Sequence, residues 1–147
     1  MSAEWCLQDV PVVAIMRGRV IKSGRAAGSA LVSREPIGFL GGVNPDTGVV
    51  LEPGHPLHGR SVAGKVLVFP TGKGSTVGSY TILRLARSGH APVAMVNAQS
   101  EAIVAVGSII ADIPMVDQVD ISLINDDDWV TVEDDVVTVS RASQAGS

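Results

Sequence analysis

The residues best suited to chemistry lie in one glycine-rich stretch, Gly72-Lys73-Gly74-Ser75-Thr76. Glycines let backbone N–H groups converge and let a ligand come close. Lys73 adds a positive charge, and Ser75 adds a hydroxyl where a helix is predicted to begin and its dipole favours negative charge. Three uses fit this pattern: binding of a carboxylate or phosphate, action of Ser75 as a general base, or a plain helix N-cap by Ser75.

A second glycine-rich cluster covers residues 38–48 and contains Gly41, Gly42 and Asn44. Its Asn44-Pro45-Asp46-Thr47-Gly48 segment predicts a tight turn, because proline fixes φ and glycine accepts a positive φ. The cluster therefore suits either a structured loop or a rim that meets a ligand.

Two other patterns resemble known sites but lack a required part. Residues 59–66 approach a phosphate-binding P-loop, but Val66 stands where a serine or threonine must bind magnesium, and a strand is predicted where the helix should begin. His55 and His58 flank Pro56 with no third ligand nearby. We therefore interpret both histidines as surface turn residues and predict no metal site in this chain.

The composition limits the class of protein. The chain has 147 residues, 46 % of them hydrophobic, and a net charge of −4, which predicts one domain with a sizeable core and does not favour binding to nucleic acid. Cys6 is the only cysteine, so we expect no internal disulfide and a reducing, cytoplasmic setting. The acidic runs 126–128 and 133–135 are predicted to be solvated turns. No signal peptide is recognised, and no apolar run approaches the about 20 residues that span a bilayer.

Hydrophobic patterns place the glycine-rich stretch between a strand and a helix. Residues 65–69 form a nearly continuous apolar run, which predicts a buried central strand. Residues 76–88 have apolar positions at helical spacing, and Gly89 marks the helix end. Further strands are predicted at 12–21, 30–32, 49–51, 92–96 and 113–116, a hairpin at 129–132 and 136–139, a loop or bulged edge at 23–29, and a short helix at 101–106 that ends at Gly107.

These elements predict an α+β domain of β/β/α or three-layer type, with helices on one side of a central sheet. The first part of the chain is β-rich, and the middle part alternates βαβα. Residues 1–140 are predicted to form a single domain, and residues 141–147 a disordered tail.

An ordered series of motifs resembles the small subunit of the aconitase X family of dehydratases. The likeness extends from about residue 18 to residue 116 in order and spacing, and it is carried by residues 41–48, 55–59, 70–75 with Ser79, and Ala91-Pro92. The resemblance implies a swivelling β/β/α domain that closes over a large catalytic subunit, in a heterodimer or higher assembly. It implies a 4Fe–4S cluster on that subunit, where iron acts as a Lewis acid on the departing hydroxyl.

The resemblance also assigns roles in this chain. Ser75 is implied to be the catalytic base that takes the proton next to the substrate carboxylate. We expect substrate contacts from residues of both glycine-rich segments, namely Gly41, Gly42, Asn44, Gly72, Lys73, Gly74 and Thr76.

The implied reaction is the dehydration of (R)-5-phosphomevalonate to trans-anhydromevalonate 5-phosphate in the archaeal mevalonate pathway. Two alternatives stay open: the small subunit of a cis-3-hydroxy-L-proline dehydratase, and a non-catalytic anion-binding module. Many relatives have arginine where Lys73 stands and an aromatic residue where Leu40 stands, so the substrate is less defined than the role of Ser75.

Overall fold

A computed structural model describes residues 11–141, which form eight strands and two α-helices. The strands are β1 (Val12–Arg17), β2 (Arg19–Lys22), β3 (Arg25–Val32), β4 (Val66–Phe69), β5 (Ala94–Asn97), β6 (Met115–Asp117), β7 (Trp129–Glu133) and β8 (Val136–Ser140). The helices are α1 (Gly78–Ser88) and α2 (Ala102–Ala111), followed by a 3-10 helix at Ile121–Leu123. In residues 11–141, no helix is long and apolar enough to cross a membrane.

The strands form one continuous ladder in the order β1-β8-β7-β3-β4-β5-β6-β2. Strands β3, β4, β5 and β6 run parallel to one another, and the remaining pairs are antiparallel. β3 belongs to two sheets, because residues 25–29 pair with β7 and residues 30–32 pair with β4. The ladder is thereby divided into an antiparallel sheet and a mostly parallel sheet.

The mostly parallel sheet is covered on both faces. Along β4, Val66 and Val68 enter a core shared with β7 and β8, whereas Leu67 and Phe69 enter a core shared with both helices. This burial explains why the strand is apolar at every position. The predicted α+β class, the buried central strand and the placement of both helices on one side are confirmed.

The sequence predicts one long strand over residues 12–21, and this prediction is wrong. The chain forms β1 in one sheet and β2 in the other, with Gly18 between them. A Cβ atom at Gly18 would lie 2.2 Å from the backbone oxygen of Asp117, so the chain changes sheets where no side chain fits. Periodicity cannot reveal this break, since the alternation continues across it.

Two further boundaries differ from the predictions. Residues 23–29 were predicted to be a loop or a bulged strand edge, and residues 25–29 are the first part of β3, because pairing with β7 outweighs the weak strand preference of Ala26, Ala27 and Gly28. The helix predicted to end at Gly107 continues to Ala111. In contrast, the end of α1 at Gly89, which has φ 79°, and the hairpin of β7 and β8 are confirmed.

The two ends of the described chain lie side by side. β1 pairs with β8, and the backbone N–H of Arg141 donates to the carbonyl of Pro11 at 3.0 Å. Arg141 also donates to both carboxylate oxygens of Asp128, at 2.9 and 2.8 Å. Residues 142–147, most of the predicted tail, lie outside the described residues, as does Cys6.

Candidate functional site

The glycine-rich turn follows β4 at the carboxyl end of the parallel strands, the edge at which α/β sheets usually bind ligands. β5 ends beside it at Asn97, which is fully buried and donates from Nδ2 to the carbonyl of Phe69 at 3.0 Å. The backbone N–H of Gln99 donates to the carbonyl of Pro70 at 3.0 Å. The start of the turn is therefore tied to the chain that leaves β5.

Gly72 is seated against the beginning of α2. A Cβ atom at this position would lie 2.4 Å from Glu101 Oε1 and 2.4 Å from Val104 Cγ2. Glu101 is itself held in place, because its carboxylate accepts from the N–H groups of Ile103 and Val104 at 2.9 and 2.8 Å. The close approach requires glycine and fixes the position of the turn.

Lys73 lies where the two glycine-rich segments meet. Its backbone N–H donates to the carbonyl of Ile37 at 3.0 Å, and its Nζ is 3.1 Å from Glu52 Oε2. The cleft between the two segments has a volume of about 330 Å³, and its lining includes Gly41, Gly42 and Gly74. Four of the predicted substrate contacts, namely Gly41, Gly42, Lys73 and Gly74, are thus brought together.

Ser75 is exposed and precedes α1 by a short turn. Its Oγ accepts a hydrogen bond from the N–H of Val77 at 3.2 Å. Val77 occupies the N-cap position and makes no side-chain cap. Ser75 lies two residues earlier, and its hydroxyl accepts an N–H at the start of the helix, which is the hydrogen bond that the N-cap interpretation predicts. The helix begins later than predicted because Gly78 N–H donates to the carbonyl of Ser75 in a tight turn, at 2.9 Å. The N–H donated to Oγ stabilises negative charge on that oxygen.

Three successive backbone N–H groups beside Ser75 are available to a ligand. Within residues 11–141, the N–H groups of Gly74, Ser75 and Thr76 donate to no protein acceptor. Gly74 has φ 98°, a left-handed conformation that favours glycine. Successive N–H groups around such a residue form a concavity that binds anions, and Lys73 adds a full positive charge next to it.

The other three predicted contact residues, Gly72, Asn44 and Thr76, do not line this cleft. Gly72 packs against Glu101 and Val104. Thr76 lines a groove between α1 and α2. Asn44 lines a separate depression that includes Arg84, and its Oδ1 accepts from the N–H of Asp46 at 2.8 Å. The substrate contacts of all seven predicted residues stay predictions, as does the catalytic role of Ser75.

An ion pair at the same edge of the sheet joins the exposed Arg19 to the buried Asp117, and no sequence pattern indicates it. Asp117 is fully buried and receives two hydrogen bonds from Arg19, at 3.0 and 2.8 Å, and two from Ser100, at 3.1 and 2.7 Å. Burial raises the pKa of Asp117, but the hydrogen bonds from Arg19 and Ser100 outweigh it and hold that pKa below its usual range. The three residues are far apart in sequence, so no motif connects them.

Two polar residues predicted to lie at the surface are buried. His55 is 6 % exposed; its Nε2 is 3.1 Å from the carbonyl of Pro36, and its Nδ1 accepts from the N–H of Leu57 at 3.0 Å. Asp128 is 4 % exposed and pairs with Arg141. Both side chains support loops that the sequence patterns treat as solvated.

The described residues do not fit a metal or an iron–sulfur cluster. Residues 11–141 contain no group of three or more His, Cys, Asp or Glu side chains that could hold a metal ion. Iron–sulfur clusters need three or four ligands, which are usually cysteines. Residues 11–141 therefore offer no donor set for an iron centre.

A family model for the aconitase X swivel domain matches residues 15–140. The chain belongs to the aconitase X swivel-domain family. The match covers both glycine-rich segments, both helices and all but the first residues of the strand ladder. It confirms the resemblance and the swivel-domain fold expected from the sequence.

Relatives with this swivel domain carry a common name. The phosphomevalonate dehydratase small subunit of Methanocella arvoryzae is 55 % identical over 121 residues, which cover 80 % of this chain and 92 % of the relative. The protein of the same name from Methanothrix thermoacetophila is 63 % identical over 99 residues, or 67 % of this chain and 72 % of the relative. The crystal structure of Thermococcus kodakaraensis aconitase X in its holo-form superposes with a TM-score of 0.84 at 48 % identity, covering 86 % of this chain and 98 % of that one.

Proposed function

We propose that this chain is the small subunit of a phosphomevalonate dehydratase and contributes the catalytic base of a hydro-lyase. The names of its relatives supply the reaction. The observation that carries the proposal is the arrangement at the turn, where exposed Ser75 lies among three N–H groups without protein acceptors and beside Lys73.

The turn binds an anionic group of the substrate. The N–H groups of Gly74, Ser75 and Thr76 donate to its oxygens, and Lys73 neutralises its charge. In the chain by itself, Lys73 is paired with Glu52 at 3.1 Å. The substrate therefore competes with Glu52 for the ammonium group, in the manner of an exposed and exchangeable ion pair.

Ser75 Oγ removes the proton from the carbon next to the substrate carboxylate. The electron pair of that C–H bond becomes the carbon–carbon double bond, and the hydroxyl of the neighbouring carbon departs as hydroxide. Return of the Ser75 proton to that hydroxide completes one water molecule and restores the alkoxide. Ser75 must act as an alkoxide, which the N–H of Val77, the dipole of α1 and nearby Lys73 all favour. Closure of the swivel domain over its partner removes water and strengthens these interactions.

The large subunit supplies what the described residues do not. We assign the 4Fe–4S cluster and most of the substrate pocket to that subunit, since residues 11–141 offer no set of metal ligands. No residue of this chain is assigned to the cluster, and the partnership follows the description of the relatives as small subunits.

The direct test is Ser75→Ala in the complex reconstituted with the large subunit. We expect turnover of phosphomevalonate to fall about a hundredfold to ten-thousandfold, because a general base contributes a factor of this size. The KM should change little, since the backbone N–H groups remain. Initial rates measured on the purified complex give both values.

Ser88→Ala is the matched control, since Ser88 lies at the other end of α1 and its hydroxyl donates to the carbonyl of Pro45 at 2.8 Å. The control should keep the turnover of the unchanged complex. A Ser75→Ala complex with near-normal turnover removes Ser75 as the base. Parallel assays on cis-3-hydroxy-L-proline test the substrate: turnover of that compound, and none of phosphomevalonate, assigns the chain to the alternative dehydratase.

A further inference from the structure

α2 is apolar on all sides. Its ten residues, Ala102–Ala111, include no charged side chain, and the polar Ser108 is buried. A helix of this kind is normally enclosed by other parts of a protein, because helices at a surface carry polar residues on their outer side. The composition of α2 therefore predicts that every side of it is covered.

Residues 11–141 cover one side of α2 and leave the other side exposed. Val104, Gly107 and Ser108 are the residues of α2 that face the rest of the fold and are buried. On the outer side, Val106 is 47 % exposed, Ile109 51 % and Ile110 42 %. These aliphatic side chains form a continuous row along the helix, which lowers the solubility of the chain unless another surface covers them.

An open groove between α1 and α2 extends this apolar surface. Its volume is about 420 Å³, and it is lined by Tyr80 and Leu83 of α1 and by Ile103, Val106 and Ile110 on the α2 side. No charged side chain lines it. A partner that fills the groove must therefore present aliphatic or aromatic side chains and no unpaired charge.

We infer that this groove is a docking surface for an apolar ridge of the large subunit. The inference rests on the proposed function, and the position of the groove connects the two. Thr76 and Ser79 line its end, and Thr76 directly follows Ser75. A large subunit that brings the rest of the active site to Ser75 must therefore lie over this end of the groove.

The test is an Ile110→Lys substitution in the two-subunit complex. A charge in the groove must be desolvated on docking, so we expect the complex to dissociate at about tenfold or higher protein concentration than the unchanged complex. Sedimentation velocity over a dilution series measures this shift. Tyr80→Ser on the other wall, where the side chain is 63 % exposed, should weaken the complex in the same direction.

Ile15→Lys on β1 is the matched control, because Ile15 is 67 % exposed and belongs to the other sheet. Thermal unfolding of each variant chain shows whether it is folded. Ile110→Lys and Tyr80→Ser complexes that dissociate at the same concentration as the control overturn the inference. The inference is also overturned if the chain associates with itself or binds phospholipid vesicles, if Ile110→Lys loses that binding, and if the two-subunit complex of Ile110→Lys is unchanged.

The failure of this inference can be told apart from failure of the proposed function. Ser75→Ala should lower turnover at least about a hundredfold and leave assembly intact. Ile110→Lys should weaken assembly but keep normal turnover at subunit concentrations high enough to form the complex. If the Ile110→Lys chain assembles normally while the Ser75→Ala complex is inactive, the docking surface alone is rejected. If the Ile110→Lys chain assembles weakly while the Ser75→Ala complex is active, the serine base alone is rejected.

Discussion

Asp117 is the most strongly constrained carboxylate at the candidate edge of the sheet. It ends β6, and it joins Arg19 of β2 to Ser100 before α2. A buried carboxylate is costly unless it is paired and hydrogen-bonded, and here four hydrogen bonds supply that compensation. The residue therefore stabilises the junction of three segments next to the site.

Asp117→Asn should make the fold less stable in a pH-dependent way. At pH 7 we expect a loss of about 2 kcal/mol in the free energy of unfolding, because Arg19, which is exposed, and Ser100, which is half-buried, lose a charged acceptor. The pKa of Asp117 is lowered in the folded chain, so its contribution is complete above the ordinary carboxyl pKa of about 4 and is lost as pH falls through the lowered value. Urea unfolding at several pH values gives the difference between the two proteins.

Asp135→Asn serves as the control, since Asp135 forms a surface pair with Arg17 at 3.3 Å. It should change stability by less than about 0.5 kcal/mol at any pH. A penalty for Asp117→Asn that stays constant down to pH 2 contradicts the assigned role of its charge.

The residues of the candidate site were only partly predictable from the sequence. Gly72, Lys73 and Gly74 stand out because a glycine-rich turn between an apolar strand and a helix is a local pattern. The pairing of Lys73 with Glu52 and of Arg19 with Asp117 depends on segments that meet only after folding. No spacing along the chain encodes such contacts.

At the scale of elements, α1 and α2 are held together by one close contact. A Cβ atom at Gly107 would lie 2.5 Å from Ile82 Cδ1 and 3.1 Å from Ile82 Cβ. The small residue lets the helices approach closely. Their distance in turn fixes the width of the apolar groove and the position of Gly72 against Glu101.

Gly107→Val should therefore force the helices apart. Added volume in a packed interface typically costs about 1–3 kcal/mol, and we expect a loss of about 2 kcal/mol in the free energy of unfolding. Ala102→Val in the same helix is the control, because Ala102 is exposed and a surface change costs less than about 0.5 kcal/mol. Equal stabilities of the two variants in urea unfolding count against close packing at Gly107.

Element types were predicted well where one face or both faces of an element are buried, and poorly where packing sets a boundary. The apolar run of β4 and the helical spacing of α1 are local consequences of burial. The break at Gly18 and the passage of α2 through Gly107 depend on backbone and side chains elsewhere in the fold. At both positions glycine indicates a close neighbour, whereas sequence patterns equate it with a turn or a helix end.

At the scale of the whole molecule, the fold presents an incomplete site at an accessible edge. The cleft of Lys73 and Gly74 and the groove of α1 and α2 both open beside Ser75. The described residues supply backbone N–H groups without protein acceptors and a hydroxyl, and they hold no set of metal ligands. Such a division suits an enzyme whose chemistry begins when two subunits close.

The purified chain should consequently contain no stoichiometric iron and should not dehydrate phosphomevalonate. The complex with the large subunit should contain iron and should be active, and removal of iron by a chelator should abolish its activity while the small subunit stays folded. Metal analysis, rate measurements and circular dichroism on the same preparations check these outcomes. Appreciable turnover by the single chain, or iron bound to it, contradicts the divided site.

The meeting of β1 with β8 has a mechanical consequence. Because Pro11 and Arg141 are hydrogen-bonded neighbours, the first and last described residues lie at one point of the described fold. A linker attached at either side would act as a single tether, about which the rigid body can rotate without internal rearrangement. The same geometry permits circular permutation or fusion to a larger polypeptide, since a short connection can join the two ends without stretching the sheet.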